Sequence, residues 1–346
     1  MADKEGIPTT GNRATLASSI KSFLEQNPQL RLGGREDFHT ERRHHLEVFG
    51  FHKLDDAKRA PIKHVHFDGV RGRHGTIPVR LFYPQSYDNN NNNDKNKLPA
   101  LIYLHGGGYT VGSVDEFENG LRLLAEAAHM ITVGVEYRLA PEFAFPTQLD
   151  EYEDVLAWAR GPAGARLGID PDRVLGGGDS AGRNMTAALC LRLHDAGKKP
   201  PKAQILLYPE ARLPFDTPAA EENTSGYYLE CNGIFSFADH YLPRAPDTDT
   251  EGANGPPAPS HRYVSPGMQP VEKLGGLPPA AVFTCGFDPL RDVGVEYAAK
   301  LRKAGNKVVW CHYPELTHGF LQMAPWSGEA GQAVGDVARV MRELAK

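Results

Sequence analysis

The sequence predicts an α/β fold: a mostly parallel sheet with helices on both faces. Three observations carry this. Runs at residues 99–104, 174–175, 203–207 and 280–285 are almost wholly apolar, as expected of strands buried on both faces. Helical spacing fills the stretches between them, so strand and helix alternate along the chain. Glycine-rich and polar loops follow the carboxyl ends of these runs, where open parallel sheets bind their ligands. With 346 residues, the chain permits one large domain with an insertion, or two domains.

Residues 1–60 read as helical and partly amphipathic, through Leu16, Ile20, Phe23 and Leu24, then Phe38, Leu46, Val48 and Phe49 after the Gly33-Gly34 break. The segment is too small for a core of its own and is expected to pack on the main body. His39, His44 and His45 have no acidic or cysteine partners at metal-ligand spacing, so they read as a solvated basic face. Alternating strands follow at 62–67 and 77–83. The Asn-, Asp- and Lys-rich run 85–97 reads as a surface loop. Next come the buried strand 99–104, a helix near 117–128 and a strand at 131–137. A proline-punctuated connector leads to a helix near 149–160, whose Asp150, Glu151, Glu153 and Asp154 read as a solvated helix start. Beyond the strands at 174–178 and 203–208, residues 211–278 break the alternation. Rich in proline and loop-like at 245–252, they read as a lid-like insertion. Strands resume at 280–285 and 307–313, and a helix at 329–344 closes the chain.

Composition excludes several classes. Hydrophobic residues make up 40% and charged residues 23%, which is ordinary for a globular protein. A net charge of −5 implies no basic face for nucleic acid or anionic lipid. No apolar run approaches the roughly 20 residues of a membrane span. The start at Met1 lacks a signal-peptide pattern. Cys190, Cys231, Cys285 and Cys311 show neither metal spacing nor a disulfide framework. A cytoplasmic protein with no metal and no cofactor is expected. Oligomeric state is open, a homodimer included.

The chemistry centres on Gly178-Asp179-Ser180-Ala181-Gly182. A strand runs into it and a helix leaves it, as in the G-x-S-x-G nucleophile elbow. Alone the motif is weak in a chain with 36 glycines. Gly176 to Ala181 also fit the looser dinucleotide pattern G-x-G-x-x-A, with Glu210 as a candidate ribose ligand. The partners decide between these readings. His105-Gly106-Gly107-Gly108 after strand 99–104 suits an oxyanion hole, because glycines let backbone N–H groups converge on one point. Asp288 and His318 each follow a later strand, giving the order Ser, Asp, His. Ser180 is then the nucleophile, His318 the base and Asp288 its orienter, with the N–H groups of Gly106, Gly107 and Ala181 receiving the oxyanion. Asp292, one turn beyond Asp288, reads as a first-turn carboxylate facing the helix dipole. His312 reads as structural, and Asp179 as orienting neighbouring loops. The nicotinamide reading leaves the glycine loop, Asp288 and His318 unexplained.

His105-Gly106-Gly107-Gly108, Tyr137 to Glu142, Gly178 to Gly182, Asp288 to Asp292 and His318-Gly319-Phe320 together resemble the hormone-sensitive-lipase family of α/β-hydrolases, in its GDSAG branch. The resemblance covers about residues 60–346. It implies an eight-stranded sheet at 61–210 and 279–346, under a helical cap made from residues 1–60 and 211–278. It also implies hydrolysis of short- to medium-chain carboxylic esters through an acyl-enzyme, without a cofactor. Some relatives are non-catalytic receptors for small molecules, but these tend to lose the histidine retained here as His318. Lactones, amides and carbamates are open to the same machinery. The chain departs from the family at Arg183 (usually glycine), Val293 (often acidic) and Glu210, which is expected either to face the pocket or to pair with Arg183. Tyr109, Phe143, Tyr227, Tyr228, Phe235 and Phe237 are candidate pocket aromatics.

Overall fold

The computed structural model describes residues 6–33, 37–87, 97–213, 216–242 and 257–346. Most of the Asn-rich run and the loop at 245–252 lie outside these residues.

Eight strands form one sheet: β1 (His64–Gly72), β2 (Gly75–Tyr83), β3 (Leu98–Leu104), β4 (Ile131–Val135), β5 (Ile169–Asp179), β6 (Gln204–Leu207), β7 (Ala280–Phe287) and β8 (Val308–Thr317). Their order is β1-β2-β4-β3-β5-β6-β7-β8. The β1–β2 and β2–β4 pairings are antiparallel and the remaining five are parallel. The parallel part is the region whose strands read as continuous apolar runs, as expected where helices cover both faces.

Side chains of a strand alternate between faces, and β3 shows the result. Leu101 and Tyr103 join one buried cluster, with the helices Val114–Ala128 and Gly328–Leu344. Ala100, Ile102 and Leu104 join the other, with the helix Thr147–Arg160.

The N-terminal segment packs on the main body and on the insertion. Leu32 bridges Leu229, with Leu32 N–H donating to the Tyr228 carbonyl at 2.9 Å and Glu230 N–H to that of Leu32 at 2.9 Å. Phe23, Phe49 and Trp326 join their rings beneath. One expectation is corrected here. In the helix Phe38–Phe49 the buried face is Glu41, His45 and Phe49, while Leu46 is 37% exposed. With Glu41 and His45 at two of the three inward positions, only Phe49 is left to mark the buried face by apolar periodicity.

The acidic run at 150–154 is also corrected. It is not a solvated helix start. Glu151 is fully buried and accepts hydrogen bonds from the Arg138 N–H at 2.8 Å and from the Arg138 guanidinium. Asp150, Glu153 and Asp154 bind Arg73, Arg192 and Lys198. These ties clamp the 138–146 connector and the β1–β2 hairpin to one helix. Removing Glu151 strands a charge and a main-chain donor. Glu151→Ala is therefore expected to lower stability by about 3 kcal/mol in urea unfolding. A loss under about 0.5 kcal/mol would contradict this role.

Candidate active site

β5 ends at Asp179 and the helix Ser180–Asp195 begins at the next residue, with no linker between. So abrupt a turn forces Ser180 to φ 49°, a left-handed conformation that serine seldom adopts. The flanking glycines make it sterically feasible. A Cβ on Gly182 would lie 1.9 Å from the Leu104 carbonyl oxygen, and one on Gly178 2.3 Å from the same atom. The elbow is thus packed directly on the end of β3.

Two long-range partners meet this turn. Asp288 follows β7 and His318 follows β8, both buried. His318 Nδ1–H donates to Asp288 Oδ2 at 2.9 Å, while Leu290 N–H donates to Asp288 Oδ1 at 2.8 Å. The proton on Nδ1 leaves the lone pair on Nε2, which is buried and lacks a partner among the described residues. The Tyr208 ring packs edge-on against the imidazole, centroids 4.7 Å apart. Ser180 and His318 line one cavity with Gly106 and Gly107. The free space inside is ≈ 10 Å³, room for about one water molecule.

The glycine loop differs from expectation at one residue. Gly106 N–H donates to Asp179 Oδ1 at 2.7 Å, and so does the Tyr103 hydroxyl at 2.7 Å. Gly106 is therefore corrected: its N–H serves to dock the loop on the elbow and is not available to an oxyanion. Gly107, at φ 105°, is a bend that a side chain would block, since a Cβ would fall 2.0 Å from the Val111 carbonyl oxygen. Ala181 is in the first turn of its helix, where N–H groups have no intrahelical acceptor. His105 is structural. Its ring stacks on Tyr137, its Nδ1–H donates to the Gly106 carbonyl at 2.8 Å, and burial pushes its pKa down to about 4.

Other sequence readings resolve as follows. Asp292 is buried and accepts from Gly11 N–H, Ala219 N–H and Arg291, so it fastens the N-terminal segment and the insertion to the turn after β7. His312 bonds Thr284 and the Asn12 carbonyl, a structural role. Arg183 is fully buried, over the Tyr297 ring at 5.1 Å. It meets Glu210 through the main-chain carbonyl at 3.2 Å, and no hydrogen bond joins it to the carboxylate. Burial pushes the Glu210 carboxyl up to about 7, opposed by Arg183 and His318. Of the candidate aromatics, Tyr228 lines the cavity. Tyr109 stacks on Tyr241 at 3.7 Å, Phe143 is exposed and Tyr227 lines a separate groove. Phe237 packs on Gly108, and the Phe235 side chain lies outside the described residues.

The sequence reading missed His45, which is buried and not part of a solvated face. It and Glu116 also line the cavity. Burial pushes His45 down to about 4 and Glu116 up to about 8. Neither carries a motif. The only available signal was a polar residue at a position where the helix turns inward.

A family model described as alpha/beta hydrolase fold matches residues 101–322. The chain belongs to the α/β-hydrolases. Within them it falls in the hormone-sensitive-lipase family, as its five motifs implied. It is 34% identical to carboxylesterase NlhH of Mycobacterium tuberculosis over 78% of both chains. To an ethyl acetate hydrolase of Pseudomonas putida it is 32% identical, over 78% of this chain and 79% of the relative. The structure resembles a hyperthermophilic esterase of the archaeon Pyrobaculum calidifontis. The TM-score is 0.81 and identity 29%, over 96% of this chain and 99% of that one.

Asp179 gives a measurable signature. Burial lifts its pKa from the ordinary 3.8 to about 6, against the pull of Tyr103 and His318. The native state thus holds this proton more tightly than the unfolded chain does. Stability from this group is complete below pH 3.8 and is lost as pH rises through about 6. Asp179→Asn keeps the acceptor oxygen without the titration. Relative to wild type, the variant is expected to gain about 2 kcal/mol between pH 4 and pH 7 in denaturant unfolding. A pH-independent difference would contradict this.

Proposed function

We propose that the chain is a serine carboxylesterase for small-molecule esters with short- to medium-chain acyl groups. The observation that carries this is the His318 imidazole: Nδ1–H bound to Asp288, Nε2 bare, in the cavity that Ser180 lines from a strained turn. In this reading Nε2 takes the Ser180 proton as Oγ attacks the ester carbonyl. Asp288 fixes the tautomer and stabilises the imidazolium. The N–H groups of Gly107 and Ala181 receive the oxyanion. His318 returns the proton to the departing alkoxide, and water repeats the cycle on the acyl-enzyme. The relatives named carboxylesterase and ethyl acetate hydrolase support the reaction class.

We assign residues 1–60 and 211–278 to a cap over the hydrolase body of 61–210 and 279–346. Leu32 and Tyr228, one from each cap segment, line the cavity. Among the described residues no helix is long and apolar enough to cross a membrane. Four free thiols suit a reducing compartment, and we place the protein in the cytoplasm.

Across p-nitrophenyl esters from acetate to palmitate, kcat/KM should peak at or below six carbons. Ser180→Ala should reduce kcat at least about 10⁴-fold. An optimum at palmitate would refute the acyl preference, and wild-type turnover in the alanine variant would refute the nucleophile.

A further inference from the structure

Beyond Ser180 and His318, the cavity has a polar wall that ester hydrolysis does not require. Glu116, in the first turn of the helix Val114–Ala128, is 5% exposed. Ser113 Oγ–H donates to its Oε1 at 3.1 Å. Burial, with Glu136 and Asp115 nearby, pushes its pKa up to about 8. At neutral pH the group is mainly a carboxylic acid, hence a hydrogen-bond donor.

His45 lines the same cavity from the N-terminal segment. Its Nδ1–H donates to the Glu41 carbonyl at 2.8 Å, which leaves the lone pair on Nε2. That atom is buried and without a partner among the described residues. One donor and one acceptor therefore border the space beside the reacting serine. Covering both with hydrocarbon would leave two buried polar groups unpaired, which is unfavourable. A hydroxyl accepts one hydrogen bond and donates another, so it satisfies both. Leu32, Val111 and Phe117 close in around them, which limits the accompanying group to a few atoms.

Resting on the esterase reading, we propose that Glu116 and His45 make this site selective for small hydroxylated esters. The substrate hydroxyl accepts from the Glu116 carboxyl and donates to His45 Nε2. The hydroxyl can sit on the acyl or on the alcohol side, and substrate pairs separate the two.

The test measures kcat/KM at pH 7 by proton release for two isosteric pairs: ethyl glycolate against ethyl propionate, and 2-hydroxyethyl acetate against propyl acetate. Each value is divided by that ester's alkaline hydrolysis rate to remove intrinsic reactivity. In the wild type one pair should favour its hydroxylated member by at least about tenfold. Glu116→Leu and His45→Phe should bring that ratio close to one. Glu116→Gln, which keeps an N–H donor, should retain most of it and shows whether the buried position tolerates change. Ratios near one in both pairs for the wild type, or a preference that survives Glu116→Leu, would overturn the proposal while leaving the esterase standing. Turnover of none of the four esters would overturn the esterase reading itself.

Discussion

The contact on which the site depends is the approach of the elbow to the end of β3. Gly182 and Gly178 lie so close to the Leu104 carbonyl that neither can carry a Cβ. This contact sets how sharply the chain turns, and the sharpness sets Ser180 at φ 49°. A serine in relaxed backbone would sit inside the helix with its hydroxyl turned to a neighbouring turn. Here it stands between strand and helix, facing the cavity. Backbone strain of this kind persists only where surrounding structure holds it. The holding structure is visible in the Asp179 carboxylate, which fixes both Tyr103 and the glycine loop.

Buried carboxylates do much of the joining elsewhere. Asp292 ties the N-terminal segment and the insertion to the turn that presents Asp288. Glu151 ties the 138–146 connector to the helix Thr147–Arg160. Each replaces solvation with main-chain N–H donors or an arginine, as buried charges must. Glu116 and Glu210 are the exceptions. Burial raises both pKa values without a full set of donors, and both stand near the reacting centre. Groups held so in a cleft are candidates for a functional role.

Much of this was legible in the sequence. The apolar runs gave the strands, and the three groups expected to converge, Ser180, Asp288 and His318, each followed a strand. Chain order alone placed them at one sheet edge. What stayed hidden involved polar residues turned inward. His45 and Glu41 face the interior of a helix whose apolar residues suggested another face. Glu151 resembled a solvated helix start until Arg138 proved to lie against it. Gly106 looked equivalent to Gly107 within a run of glycines, and only the Asp179 contact distinguishes them. In every case a partner distant in sequence decides the role, and local pattern carries no record of that partner. The elbow differs: its motif lies within five residues, although Tyr103, Leu104 and Gly106 hold it from outside.

The central claim is that Ser180 Oγ is the nucleophile that takes the acyl group, activated through His318. It is tested most directly by reaction with a small organophosphate ester, followed by peptide mass spectrometry. The account predicts one covalent adduct, on the peptide carrying Ser180, formed much more slowly in His318→Ala. A stable adduct on another residue, or labelling of Ser180 at an equal rate without His318, would contradict it.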